Sequence, residues 1–397
     1  MIGMNARKLK GEQIAKTCQI EKNGMDKWLV PSQSGSGSYV VSRYGEGFKC
    51  NCPDFQLRGD MEHPCKHVYA VEIKVLKWFD SQGNATEITI KKTYSQNWQV
   101  YDKSQKEEKI RFMELLKDLL ENVDEPIYSF GRPKNPIRDM LFASGLKVYT
   151  QFSLRRFQSD LGIAKEKGFI EHTASFTSIG QFMQKEEMTP ILHKLIQLSS
   201  LPLQSVESQF AVDSTGFRTT HYTEYCKEKH GIKREHEWIK VHAICGVKTN
   251  IITAVSIGEE HGNDSPEFMP LVKSTHENGF NMKEVSGDKA YLSHENLDGV
   301  AELGGIAYIP FKSNSQQHAH GSKVWNKMFY YFQMCRDEFM EHYHMRSNIE
   351  TAFFMIKAKF NDTIRSKDKI AQINEALLKV LCHNIVVVAN ETNEMAV

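Results

Sequence analysis

Four side chains that are good metal donors fall in two tight pairs: Cys50-x-Cys52 and, twelve residues on, Cys65-x-His67. Three thiolates and an imidazole make a tetrahedral set that zinc accepts in structural sites. Pairing at both ends of the segment argues against four unrelated residues in a thiol-rich stretch. A second set is acidic. Asp213 follows the apolar run Phe210-Ala-Val and precedes Ser-Thr-Gly; Asp288 follows Glu284-Val-Ser-Gly and precedes Lys-Ala-Tyr. Each is expected just past the end of a buried strand, held rigidly with its carboxylate toward solvent. Glu350 keeps company with Tyr343, Arg346 and Lys357, at offsets 0, 3, 7 and 14. At about 100° per residue, these four fall on one helical stripe. The stripe alone also fits a solvated surface helix. With the two aspartates it reads as a site, because three carboxylates can hold two Mg²⁺ or Mn²⁺ ions about 3.5–4 Å apart. One ion would activate water or a 3′-hydroxyl and the other would stabilise the leaving oxygen of a displacement at phosphorus. Arg346 and Lys357 are placed to clamp flanking phosphates.

The elements that must position these residues follow from periodicity. Trp28-Leu-Val-Pro and Tyr39-Val-Val-Ser, separated by a Ser/Gly turn, predict two short strands, and apolar spacing from Val68 to Phe79 predicts a helix closing the cysteine module. Residues 81–107 are polar and irregular and are expected to be a linker. Helical periodicity marks 109–123, 138–149, 153–165, 176–185 and 189–198. From 209 the pattern changes to strands at 210–213, 238–245, 251–257, 283–287 and 306–310, with helices at 266–277 and 294–303. Two helices are expected to follow, about 336–358 and 370–389. The predicted organisation is therefore a metal module at 1–80, a linker at 81–107, a helical domain at 108–205 and an α/β core at 206–397. Within the core, Lys240 and His242 alternate along one strand and share a face, either a surface pair or part of the site. Asp264 and Ser265 precede Pro266 as a helix cap and first turn.

The 397-residue chain carries 50 Lys+Arg against 49 Asp+Glu, a net charge of +1, so any nucleic-acid contact rests on local charge. Residues 131–168 hold eight basic and three acidic side chains, net +5, after a stretch at 106–125 of net −3. Short polar turns between helices there fit a helix-turn-helix as well as an ordinary helical linker domain. Ser153 is expected to cap a helix with Arg155 and Arg156 in its first turn; cations there oppose the helix dipole and point to a phosphate partner. The start of the chain has no apolar core or cleavage site, so no signal peptide is expected. The apolar tract 376–389 is interrupted by Lys379, His383 and Asn384 and reads as too short to span a bilayer. Scattered thiols fit a reducing compartment.

Two resemblances sharpen this. The Cys50, Cys52, Cys65, His67 pattern resembles the SWIM zinc finger, a module of proteins that bind DNA or other proteins, and implies structural Zn²⁺. Tyr343-x2-Arg346-x3-Glu350-x6-Lys357, with Asp213 in Ala-Val-Asp-Ser-Thr-Gly-Phe and Asp288 in Gly-Asp-Lys-Ala-Tyr, resembles the signature of DDE transposases of bacterial and archaeal insertion sequences. That resemblance implies a ribonuclease H-like mixed sheet flanked by helices. It also implies a reaction: two-metal hydrolysis at transposon ends, then strand transfer of the 3′-hydroxyl into target DNA. Asp213, Asp288 and Glu350 would hold Mg²⁺ or Mn²⁺, Arg346 and Lys357 would contact phosphate, and Tyr343 would position DNA. The implied partners are double-stranded DNA, as terminal inverted repeats and target, and a second copy of the chain, in the cytoplasm and nucleoid of a prokaryote, with no membrane role. The spacing from Asp288 to Glu350 leaves no room for an inserted β-rich subdomain. Two rivals stay open: a domesticated DNA-binding regulator, and a metal-dependent nuclease without strand transfer.

Overall fold

A computed structural model describes residues 2–23, 27–33, 37–44, 47–58, 64–75, 78–79, 85–86, 98–127, 130–131, 134–219, 238–258, 263–316 and 321–395. Arg132, one of the eight basic residues at 131–168, lies outside them. The chain forms two compact units, Met1–Gln96 and Asn97–Val397.

The first unit starts with helix α1 (Ile2–Thr17). Strands β1 (Glu21–Lys22), β2 (Lys27–Pro31), β3 (Ser38–Tyr44) and β4 (Gly47–Cys50) then form an antiparallel sheet in that order. The expected strand pair is the middle of this sheet; the two flanking strands are too short to show a period. Helices α2 (Pro53–Arg58) and α3 (Lys66–Val75) follow, then a small pair, β5 (Trp78–Phe79) and β6 (Ala85–Thr86). Ile14, Trp28, Val30, Val41, Phe48, Val68 and Val71 close around the three cysteines as one core. Helix α1 lies directly against α3 at Gly11, where a Cβ would sit 2.6 Å from the Tyr69 Cβ.

The second unit opens with α4 (Trp98–Leu120), α5 (Ile137–Thr150), α6 (Gln158–Glu166), α7 (Phe176–Met183) and α8 (Met188–Ser200). The sheet strands are β7 (Gln209–Arg218), β8 (Trp238–Gly246), β9 (Ile252–Gly258), β10 (Glu284–Gly287) and β11 (Ile306–Tyr308). Helix α9 (Ser265–Glu277) precedes β10, and α10 (His294–Glu302) precedes β11. The chain continues through α11 (Lys323–Met334), α12 (Arg336–Tyr343), α13 (Ser347–Phe360) and α14 (Lys369–Met395). Strand order is β11-β10-β7-β8-β9. The three consecutive strands β7, β8 and β9 are antiparallel, and β10 and β11 add in parallel on the other side of β7. This is the mixed sheet flanked by helices that the sequence predicts.

Alternation along the strands sends residues to two cores. Ala211 and Phe217 of β7, with Val241, Ala243 and Cys245 of β8, pack beneath α4–α8, α13 and α14. Phe210, Val212 and Ile244 face α9–α12. Helices before residue 205 and the sheet after it share the first of these cores, so the expected boundary at 205/206 marks a change of secondary structure within one unit. Helix α4 also begins inside the expected linker. Its early turns are held by polar contacts: Ser104 Oγ donates to Asn390 Oδ1 at 2.5 Å, and Glu108 accepts from Tyr149 at 2.5 Å and Lys359 at 2.5 Å. Helix α14 contains a 24-residue stretch, Lys369–Thr392, that is long and apolar enough to cross a bilayer, longer than the sequence reading allowed. However, 89% of its apolar window is buried within the protein, which makes it the central helix of the core.

Candidate active site and metal centre

In the N-terminal unit the four expected ligands converge. One donor atom each from Cys50, Cys52, Cys65 and His67 lies within 4.8 Å of the others, and all four residues are buried. The His67 Nδ1 is 4.0 Å from the Cys50 Sγ and 3.9 Å from the Cys65 Sγ. A tetrahedral zinc with bonds of about 2.3 Å to sulfur and 2.0–2.1 Å to nitrogen needs donor separations of about 3.5–3.8 Å. The two His67 distances exceed that by a few tenths of an ångström and no donor pair is wider than 4.8 Å, so the residues fit the ion with a small contraction. Backbone geometry holds the sulfurs. Cys52 Sγ accepts from the Phe55 N–H at 3.3 Å at the start of α2, and Cys50 Sγ accepts from the Cys52 N–H at 3.4 Å. Cys65 stands at the start of α3, and Tyr39 lies against the His67 ring at 4.7 Å. Hydrogen bonding from Cys50 and His67 lowers the Cys65 pKa to about 4, whereas hydrogen bonding and burial hold Cys50 up and burial raises Cys52. Crowded thiols of this kind shed protons when a dication takes their place.

In the second unit Asp213 differs from its expected place. It sits in the middle of β7, paired with Ala243 of β8, because the strand continues through polar residues to Arg218. Strand β10 stops at Gly287, opposite Val212. Asp288 therefore leaves the sheet beside Asp213, and β7 runs on past it to Arg218, where an isolated parallel bridge to Thr363 takes up that side. The Asp288 carboxylate accepts from the Lys289 N–H at 2.7 Å, and the Asp213 Oδ1 accepts from the Ser214 N–H at 2.8 Å.

The expected helix at 336–358 is broken. A 3₁₀ turn, His344–Arg346, separates α12 from α13, so the four-residue stripe is not one continuous α-helical face. The turn nevertheless aims Arg346 inward. Its Nη2 lies 3.1 Å from the Asp213 Oδ2 and its Nη1 pairs with Glu350. Burial raises the Asp213 carboxyl above the usual carboxylate range. The Ser214 N–H and Arg346 pull it down, and the charges of Asp288 and Glu350 push it up. The Tyr343 phenol is raised by burial and by the same three carboxylates, with Arg346 opposing. Arg346 thus joins Asp213 to Glu350, and the charges of Asp288 and Glu350 act on both the Asp213 carboxyl and the Tyr343 phenol. Such a donor set suits a hard dication.

Lys357 stands further along α13. It donates to Thr215 Oγ1 at 2.6 Å and lies 5.7 Å from the centre of the Phe217 ring; burial lowers its pKa. Arg155 and Arg156 are both exposed, but in the turn 154–157 ahead of α6 rather than inside a helix. Phe157, not Ser153, takes the N-cap position, and the Arg155 guanidinium covers the Phe176 ring at 5.2 Å.

Other residues that the sequence reading passed over brace the site. His342 Nδ1 meets Glu284 Oε2 at 2.8 Å and its ring stacks on Tyr308 at 4.4 Å, which ties α12 to the sheet just before Tyr343. After α13, the segment 361–366 is held from α14. Glu375 accepts from the Arg365 and Ser366 N–H groups, and Lys379 donates to the Asn361 and Thr363 carbonyls at 2.8 and 2.9 Å. A lysine and a glutamate on the buried side of an otherwise apolar helix were the available signal, since such charges stay buried only when paired.

The second unit is thus a five-stranded mixed sheet flanked by helices, with acidic side chains gathered where β10 ends. Residues 204–385, which include Asp213, Asp288 and Glu350, match the model described as the transposase DDE domain, and residues 39–76, which include all four cysteine-module ligands, match the SWIM zinc finger. The chain carries a DDE transposase domain preceded by a SWIM zinc finger. Among solved structures, a piggyBac transposase synaptic complex with hairpin DNA, determined by cryo-EM, aligns at 10% identity over 72% of this chain and 73% of that one, with a TM-score of 0.33.

Proposed function

We propose that the chain is a DNA transposase that cuts at transposon ends by metal-assisted hydrolysis and transfers the freed 3′-hydroxyl to target DNA. The observation that carries this is that Arg346 joins Asp213 to Glu350 while Asp288 leaves the strand next to β7 and its charge acts on Asp213, all in the segment matching the transposase DDE domain. Asp213, Asp288 and Glu350 would hold two Mg²⁺ or Mn²⁺ ions, which when bound activate the attacking oxygen and stabilise the leaving one. Arg346 offers a planar donor fork to phosphate once its carboxylate partners are engaged elsewhere. Lys357 and the exposed Arg155 and Arg156 would track the backbone, and Tyr343 would set the DNA against the carboxylates. Cys50, Cys52, Cys65 and His67 would hold Zn²⁺ as a structural ion. Joining two ends calls for two copies of the chain on one DNA assembly.

The test uses full-length protein, labelled DNA from the gene's flanks and Mn²⁺ or Mg²⁺, with an Asp288→Ala variant in parallel. Metal-dependent nicking at the repeat ends, with joined products that vanish in the variant, is expected. Cutting without joining would assign a nuclease. Tight binding with no cutting in either metal would assign a DNA-binding regulator.

A further inference from the structure

Taking Asp213, Asp288 and Glu350 as the ion-binding carboxylates, we propose that Tyr291 and His242 set the spacing between Asp213 and Asp288 from the opposite face of the sheet. Neither residue offers a ligand atom to the site; both are positioning residues.

The need for such a device follows from the strand register. The β10–β7 ladder ends at Gly287 opposite Val212, one residue short of both aspartates. No ladder hydrogen bond beyond that point fixes Asp288 relative to Asp213. Asp288 instead opens the 3₁₀ turn Lys289–Tyr291, and the Tyr291 N–H donates back to the Asp288 carbonyl at 2.9 Å. Where Tyr291 is held, the turn carrying Asp288 is held.

Tyr291 is 1% exposed and lies in the core beneath α9–α12, with its ring 5.6 Å from Phe268. Its carbonyl accepts from Asn296 Nδ2 at 2.7 Å. A Cβ at residue 287 would crowd Phe268 at 3.2 Å and meet the Tyr291 ring in ordinary contact at 3.5 Å, so the strand end lies directly against both rings. The Tyr291 hydroxyl reaches His242 Nδ1 at 3.5 Å. His242, also 1% exposed, is the cross-strand partner of Ser214, whose N–H holds the Asp213 carboxylate. The His242 Nε2 lies 3.9 Å from the Asp264 Oδ1, and Asp264 in turn meets Lys240 Nζ at 2.5 Å. Room for the imidazole comes from Gly258, where a Cβ would sit 2.5 Å from Nε2.

A polar chain therefore runs from the Asp288 turn through Tyr291 and His242 to the neighbour of Asp213, anchored at the start of α9. An apolar pair would fill the same volume without polar groups to satisfy. What the polar pair adds is a directional link at the one place where the sheet supplies none. Partners of this kind, removed from around a metal site, typically cost about 10- to 100-fold in affinity.

The test measures Mn²⁺ binding by electron paramagnetic resonance in full-length protein bound to duplex DNA from the gene's flank, with Asp288→Ala to define binding at the carboxylates. Tyr291→Phe and His242→Leu should each weaken that binding about tenfold with the melting midpoint unchanged. The double variant should be no weaker than either single one, because the two act as one link. Wild-type affinity in Tyr291→Phe overturns the proposal while leaving the carboxylate assignment intact. Additive losses accompanied by a lowered melting midpoint also overturn it, by showing two separate packing defects. If wild-type protein binds no Mn²⁺ that Asp288→Ala loses, the assignment of the carboxylates falls and the proposal falls with it.

Discussion

The two metal-donor clusters of this chain are built on opposite plans. The cysteine–histidine set comes from eighteen consecutive residues, 50–67, is wholly buried, and has its donors already close to tetrahedral spacing. The carboxylate set comes from residues 213, 288 and 350, and a guanidinium stands between two of its members. The Glu350 side chain is 58% exposed. In the first cluster the donors are themselves part of the hydrophobic core, so an ion there completes the fold. In the second the donors stand outside the hydrophobic cores, where β10 ends and solvent reaches Glu350. A structural ion wants closure; a reagent ion wants access.

The largest expected effect breaks the first half of this comparison. Stripping zinc with a chelator, or replacing Cys65 with serine, should unfold residues 1–96 while 97–397 stay folded, since structural zinc contributes about 10–16 kcal/mol in small modules. Limited proteolysis should then yield a resistant fragment beginning near residue 97, and joint unfolding of both units would contradict the two-unit reading. Next, Asp213→Asn should reduce nicking at least about 10³-fold, the equivalent of several kcal/mol of lost transition-state stabilisation, with no fall in melting temperature. A parallel fall in stability would mark Asp213 as a structural rather than a reacting group.

A third effect separates the units by pH. Burial lowers the His383 pKa to about 4 while its Nε2 contacts the Asn250 carbonyl at 2.9 Å. The unfolded chain takes up this proton below about pH 6.5, so the stability of 97–397 is fully present above that value. It should fall as pH drops toward 4, by about 3 kcal/mol. Denaturant titrations at pH 7 and 5 check this, and His383→Gln should flatten the difference. Fourth, Arg346→Lys should slow nicking about 10- to 100-fold, because a point charge cannot replace a planar fork that serves two carboxylates. Full activity in the lysine variant would reduce Arg346 to a simple counter-ion. The smallest effect belongs to the surface: Arg155→Ala with Arg156→Ala should lower the salt dependence of DNA binding by about two counterions. An unchanged slope in a filter-binding series would remove the turn 154–157 from the DNA contact.

The same contrast explains what could be read from the chain. Cys50, Cys52, Cys65 and His67 are legible because all their geometry is local: two pairs, a helix start at each and a short sheet ahead of the first. The identity of the three acids and their strand and helix neighbourhoods was legible too. Their exact seats were not. Asp213 looked like a strand end because the apolar run stops at Val212, yet β8 pairs with the polar residues through Arg218 and keeps them extended. No glycine or proline marks the break at His344–Arg346, and the segment between α12 and α13 is shaped by what Arg346, His342 and Glu284 reach. The spacing predicts no helix where α11 lies, and it places the start of α4 at 109, eleven residues after the helix begins. In α4 the polar turns are made helical by Asn390, Tyr149 and Lys359, all distant in sequence.

Helix α14 carries a consequence for how the molecule comes into being. It is central to the core of residues 97–397, it follows in sequence everything it packs on, and its Lys379 and Glu375 hold the segment behind α13. During synthesis, the zinc module can close once α3, which carries His67, has emerged. The carboxylate cluster has to wait for the helix that underpins its unit, because the sheet and the early helices lack their shared packing partner until then. The growing chain is therefore expected to gain its ability to hold zinc well before it gains its ability to cut.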